Sequence, residues 1–106
     1  MAITNEQRIT NLLSMAQRAN RIVSGAFVVE QAMKKKQAVF VLLAGDAAEE
    51  SKKNFKNLAD KCAIPYAEAL DRESLGACLG KEFRAVAALT DEGFAKKLRQ
   101  LMEESL

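Results

Sequence analysis

The chain has 106 residues, 49% apolar, 28% charged and 6% aromatic, a length typical of one folded domain and an apolar content too high for a disordered chain. Its 16 Lys and Arg against 14 Asp and Glu leave a net charge of +2, and histidine is absent, which removes the commonest general base and metal ligand. There is no apolar leader after Met1 and no run near the roughly 18 apolar residues of a membrane helix, so a soluble cytoplasmic protein is expected.

Thr4 and Gln7 form a capping-box pair ahead of Ile9, Leu12, Leu13 and Ala16. Their i, i+3, i+4, i+7 spacing predicts an amphipathic helix over 5–18. Arg21, Ile22, Val23 and Ser24 read as a very short strand running into Gly25, and a second helix follows over 26–36. Within 37–43, the continuous run Val39, Phe40, Val41, Leu42 and Leu43 predicts a strand buried on both faces. Asp46 and Glu49 suggest another capped start, with Asp46 as N-cap, for a helix carrying Phe55, Leu58, Ala59 and Cys62.

Pro65 cannot continue that helix, and 65–69 reads as a short edge strand. Asp71 opens a brief helix through Leu75, Cys78 and Leu79 that Gly80 stops. Residues 85–89 are a strand, and Thr90 or Asp91 caps a last helix with Phe94, Leu98 and Leu101. Helices and strands in alternation place helices on both faces of a sheet. The expected fold class is α/β, a three-layer α/β/α sandwich with a mixed four-stranded sheet, in one domain over 1–106.

Cys62 and Cys78 have no histidine partners and no zinc-type spacing, and each falls on an apolar helical face, so buried reduced thiols are expected. The sequence carries no Gly-x-Ser-x-Gly and no phosphate-loop signature. No catalytic residue, metal or cofactor is therefore expected, and the chain is not read as an enzyme. Asp46, at a strand end, is the one position for a catalytic carboxylate, and helix capping explains it more simply.

The near-neutral total hides an asymmetry. Residues 1–61 hold 10 basic and 6 acidic residues, net +4, and residues 62–106 are net −2. Between 8 and 36, Arg8, Arg18, Arg21, Lys34, Lys35 and Lys36 face only Glu30, a local field that attracts phosphate or simply keeps the surface solvated. On the second helix, Val29, Ala32, Met33 and the stem of Lys36 share the core face, whereas Phe27, Val28, Gln31, Lys34 and Lys35 point away from it. Two large apolar residues at an outward helix start, beside its unpaired N–H groups and after a permissive Gly25, suit RNA: phosphates on the N–H groups, bases on the side chains. The competing arrangement folds Phe27 back onto the first helix.

The stretches RIVSG at 21–25, VFVLLAGD at 39–46, CAIPY at 62–66 and LGACLG at 75–80, in that order, resemble the kink-turn-binding ribosomal protein superfamily. TDEGFAKKL at 90–98 resembles its bacterial YlxQ-like branch in particular. The resemblance implies binding of sharply bent RNA helices in which tandem sheared G·A pairs follow a bulge. Gly25 matches the family's glycine, but Phe27, Val28 and Gln31 stand at its Asn, Glu and Lys positions, where polar side chains would read guanine edges. Of these only Gln31 retains hydrogen-bonding capacity.

A second family contact implies a role for the loop of Lys81, Glu82, Phe83 and Arg84, and the loop after the second strand adds Lys52 and Lys53. The candidate RNA-binding set is thus Ser24, Gly25, Phe27, Val28, Gln31, Lys34, Lys35, Lys52, Lys53, Lys81, Phe83 and Arg84. The expected partner is ribosomal or structured regulatory RNA, with ribosomal proteins as neighbours and the chain a monomer. The runner-up is a protein-interaction adaptor on the same fold, using the Phe27 and Val28 patch.

Overall fold

The computed structural model describes residues 4–104. In chain order they form α1 (Asn5–Arg18), β1 (Ile22–Ser24), α2 (Ala26–Lys34), β2 (Phe40–Leu43), α3 (Glu49–Cys62), β3 (Tyr66–Glu68), α4 (Arg72–Cys78), β4 (Val86–Leu89) and α5 (Glu92–Glu104). The strands lie in the order β1-β4-β2-β3. β3 runs parallel to β2, pairing Val41 with Tyr66, while β4 is antiparallel to both β1 and β2. The sheet is mixed, as expected.

All four residues of β2 and of β4 are buried, because both strands are central and covered on both faces. Alternation along them feeds two cores. Phe40, Leu42, Ala87 and Leu89 pack with Leu12 and Leu13 of α1, Leu75 of α4 and Leu98 of α5. Val41, Leu43, Val86 and Ala88 pack with Val29 and Met33 of α2 and Phe55 and Ala59 of α3. The result is a three-layer α/β/α sandwich. Polar ties join helices within the first layer: Ser14 Oγ donates to Cys78 O at 2.9 Å and Asn5 Nδ2 to Leu101 O at 2.9 Å.

The helix starts follow the sequence at three of the capped ends. Gln7 N donates to Thr4 Oγ1 at 3.1 Å and Thr4 N to Gln7 Oε1 at 3.0 Å. Asp71 accepts from Ser74 N at 2.7 Å, and Asp91 from Phe94 N at 3.1 Å. The fourth differs: α3 begins after Ala48 with no side-chain cap. Asp46 instead reaches across to α4, its Oδ1 accepting from Arg72 N at 2.8 Å with Arg72 Nε 3.5 Å from Oδ2.

The ends of α1 to α4 share one device. A residue at positive φ lets two N–H groups turn back to the last carbonyls. It is Asn20 after α1, Lys36 after α2, Ala63 after α3 and Gly80 after α4. At α2, Lys36 N donates to Met33 O and Gln37 N to Ala32 O. The helix therefore stops at Lys34 rather than 36, and Lys36 is exposed beyond it instead of lying on the core face. With Gln37 and Ala38 both donating to Ala32 O, β2 starts at Phe40, not 37. Cys62 and Cys78 are free thiols, each half-buried rather than fully enclosed. Burial still pushes the Cys78 thiol up to about 11.

Because β4 runs opposite to its neighbours, the segment entering it lies at the same end of the sheet as the segments leaving β1, β2 and β3. Backbone bonds gather them there. Gly25 N donates to Val86 O at 3.0 Å, Ala44 N to Ala85 O at 2.9 Å, Gly45 N to Leu70 O at 2.9 Å and Arg84 N to Arg72 O at 3.0 Å.

Candidate nucleic-acid interface

Gly25 makes the junction between β1 and α2, at φ 96° and ψ 146°, a conformation open to glycine and strained for other residues. No side chain caps α2 and no acidic residue sits in its first turn. The leading N–H groups and the positive end of the helix dipole are left without a compensating side chain. Phe27 stands 73% exposed and Val28 47% exposed at this terminus. Phe27 therefore projects outward rather than folding back as a staple.

The segment before β4 lies beside it. Phe83 is 59% exposed, and Arg84 turns inward: its Nε donates to Ser24 Oγ at 3.0 Å and its Nη1 to Phe83 O at 3.0 Å. Arg84 thereby ties the loop carrying Phe83 to the turn ahead of α2. The loop rests on α4 at Gly76, where an added Cβ would lie 2.7 Å from Glu82 O and 2.8 Å from Phe83 N. A helical glycine is the sequence signal for such a close approach. Arg72, which carries no local signal of its role, links Asp46 to this loop through its backbone O.

Ser24, Gly25, Phe27, Val28, Phe83 and Arg84 are thus gathered at one end of the sheet, whereas Lys81 closes the last turn of α4, its N donating to Gly76 O at 2.8 Å. Gln31, half-buried, lies a turn further along α2. Lys34 and Lys35 lie at the opposite end of the helix, about two turns or 10 Å from Phe27 at 1.5 Å per residue, with Lys34 paired to Glu30 at 2.9 Å. Lys53 is exposed on α3.

Lys52 departs furthest from the sequence reading. Its side chain is 11% exposed, and its Nζ donates to Gly45 O at 3.0 Å and Glu68 Oε1 at 3.2 Å, with Glu49 Oε1 at 3.3 Å. The Glu68 carboxylate holds the Lys52 pKa above its ordinary value, and Lys56 and Lys52 together hold that of Glu68 below its own. Lys52 is a structural cation joining α3 to the β2 exit and the edge strand β3.

Among the described residues no group of three or more His, Cys, Asp or Glu could hold a metal ion, and no helix is long and apolar enough to cross a membrane.

The model of the ribosomal protein L7Ae/L30e/S12e/Gadd45 family matches residues 7–99. The chain belongs to that family. RNA-binding protein YlxQ of Bacillus subtilis (strain 168) is 41% identical over 95 residues, covering 87% of this chain and 92% of that protein. RNA-binding protein YlxQ of Enterococcus faecium is 31% identical over 99 residues, covering 93% and 95%. These names point to a non-enzymatic protein and to the YlxQ-like branch. A solved Bacillus halodurans protein of unknown function superposes with a TM-score of 0.87 at 31% identity, over 91% of this chain and 97% of that one. The Giardia lamblia 15.5kD RNA binding protein shares the fold, with a TM-score of 0.79 at 17% identity over 98% and 90%.

Proposed function

We propose that this chain is a non-catalytic, monomeric, cytoplasmic RNA-binding protein whose single domain grips structured RNA, ribosomal or regulatory, by the end of the sheet where α2 begins. One observation carries the proposal. Phe27, Val28 and Phe83, apolar and exposed, surround a helix N-terminus whose first turn carries no acidic residue and no side-chain cap. Water gains nothing from such a surface, whereas an unstacked base can lie on each ring and a phosphate can take the N–H groups.

With Phe27, Val28 and Gln31 where the family carries Asn, Glu and Lys, contact with a bent helix is made by stacking more than by reading base edges. The names of the YlxQ relatives support RNA as the partner. The ribosomal proteins named in the family support association with the ribosome, beside ribosomal proteins, as the setting.

Titration of ribosomal RNA fragments containing bulged internal loops, at increasing salt, tests the proposal. Four to six phosphate contacts give a log–log slope of roughly −3 to −5. Absence of binding, or binding without salt dependence, overturns it. The protein-adaptor reading draws on the same exposed Phe27 and Val28, and retention of a protein partner after nuclease treatment would favour it.

A further inference from the structure

We propose that the groove between α2 and α3 is a second nucleotide site, which takes a single-stranded RNA segment leaving the α2 N-terminus; the inference rests on the RNA-binding reading above. Both helices cover the same face of the sheet, and both start from the end where the exposed Phe27 stands. The groove, about 570 Å³, follows the length of α2. Ala26 is at its mouth, with Glu30 and Lys34 one and two turns below on the same wall. Its size is that of a small-ligand cleft.

The facing wall carries Ser51, Asn54 and Asn57, with Lys61 at the far end. A carboxamide offers both a donor and an acceptor, the pairing that a base edge presents. Asn54 and Asn57 are exposed and one helical turn apart, so neighbouring bases can each meet one. Phe55 and Leu58 lie between these polar walls and give the base faces an apolar floor.

The electrostatics choose the occupant. Lys34 and Lys61 flank the groove, and its one carboxylate, Glu30, is held by Lys34 at 2.9 Å. An amide-rich, net positive groove complements a polyanion with polar edges and fits an amphipathic protein helix poorly. The α1–α5 cleft, about 670 Å³ and lined by Leu12, Met15, Phe94 and Leu101, has the opposite, apolar character.

The test uses the ¹⁵N-labelled full chain with the tetranucleotides r(UUUU) and r(AAAA) and the matching dinucleotides. Side-chain amide signals of Asn54 and Asn57 report the groove, and backbone signals of Phe27 and Phe83 report the sheet end. Both sets are expected to shift with tetranucleotide. Joint replacement Asn54→Ala and Asn57→Ala, at exposed helical positions that alanine suits, is expected to weaken tetranucleotide binding about tenfold and to erase its advantage over the dinucleotide. Shifts at Phe27 and Phe83 with silent groove amides overturn this inference and leave the RNA-binding reading standing. Silence at both sites with every RNA, larger structured fragments included, overturns both. Groove signals that answer instead to an acidic amphipathic peptide assign the groove to a protein helix and overturn it as well.

Discussion

Replacing Gly76 with alanine moves the RNA-facing loop from behind, without touching the proposed contact surface. The new methyl carbon would lie 2.7 Å from Glu82 O and 2.8 Å from Phe83 N, whereas ordinary contact begins near 3.4 Å. The loop must therefore retreat by roughly 0.7 Å, and it is backbone, not a flexible side chain, that has to yield. Arg84 N to Arg72 O, which ties the loop to α4, is 3.0 Å, so a retreat of that size from α4 takes it out of hydrogen-bonding range and perturbs the 3.0 Å bond from Arg84 Nε to Ser24 Oγ. Alanine gains about 1 kcal/mol of helix propensity over glycine, while overpacking a tight contact costs about 1–3 kcal/mol. The net expectation is a loss of about 1 kcal/mol in urea unfolding, with RNA affinity falling several-fold as Phe83 shifts. A Gly76→Ala variant that is more stable and binds RNA unchanged would show that the loop yields freely, and would refute the role given to this contact.

Lys52→Met, which leaves Glu68 and Gly45 O without their cation, should lower the urea midpoint and speed amide exchange in β3, with RNA affinity unchanged; lost RNA binding at unchanged stability would contradict its structural assignment. Stability should also respond to acid. Glu68, held low chiefly by Lys56, and Asp71, held low by Ser74, both lie below their ordinary values. Their contributions are complete above the unfolded carboxylate range and are lost as pH falls through the lower folded values, so the urea midpoint should drop on acidification below about pH 4.5. Lys52, raised, contributes below its unfolded value of 10.5 and loses that contribution only as pH rises through the higher folded one. A midpoint unchanged down to about pH 2 would contradict both carboxylate assignments. Ala63→Gly, at φ 57°, should raise stability by about 0.5–1 kcal/mol in the same assay by relieving a left-handed Cβ.

The sandwich was legible because its signals are periodic and local. The apolar runs of β2 and β4, the i, i+3, i+4, i+7 faces of α1 and α3, and the caps at Thr4, Asp71 and Asp91 each state their element in a few residues. What escaped is non-local. Asp46 looks like a helix N-cap from its spacing to Glu49, and only the return of the chain at Arg72 offers its carboxylate a better pair of donors. Lys52 follows a strand end in a charged stretch and reads as a surface cation until β3 brings Glu68 beside it. The left-handed turns at Gly80 and Asn20 fall on residue types that favour them, whereas those at Lys36 and Ala63 do not, and so α2 read two residues too long.

At the candidate interface, the outward face of α2 came from helical geometry, but its two halves separate. Phe27 and Val28 join the Phe83 loop because β4 runs antiparallel, and Lys34 and Lys35 stay two turns away. The groove between α2 and α3 needs both helices in place before its amides face anything.

The most direct measurement of the central claim, that an exposed aromatic at the start of α2 grips RNA by stacking, is the affinity of Phe27→Ala and Phe27→Tyr for one bulged ribosomal RNA fragment at fixed salt. Loss of a stacked base costs about 1–3 kcal/mol, so the alanine variant should bind about fivefold or more weakly while tyrosine stays within about threefold of the parent. Equal affinity for all three proteins, at unchanged stability, would contradict the claim.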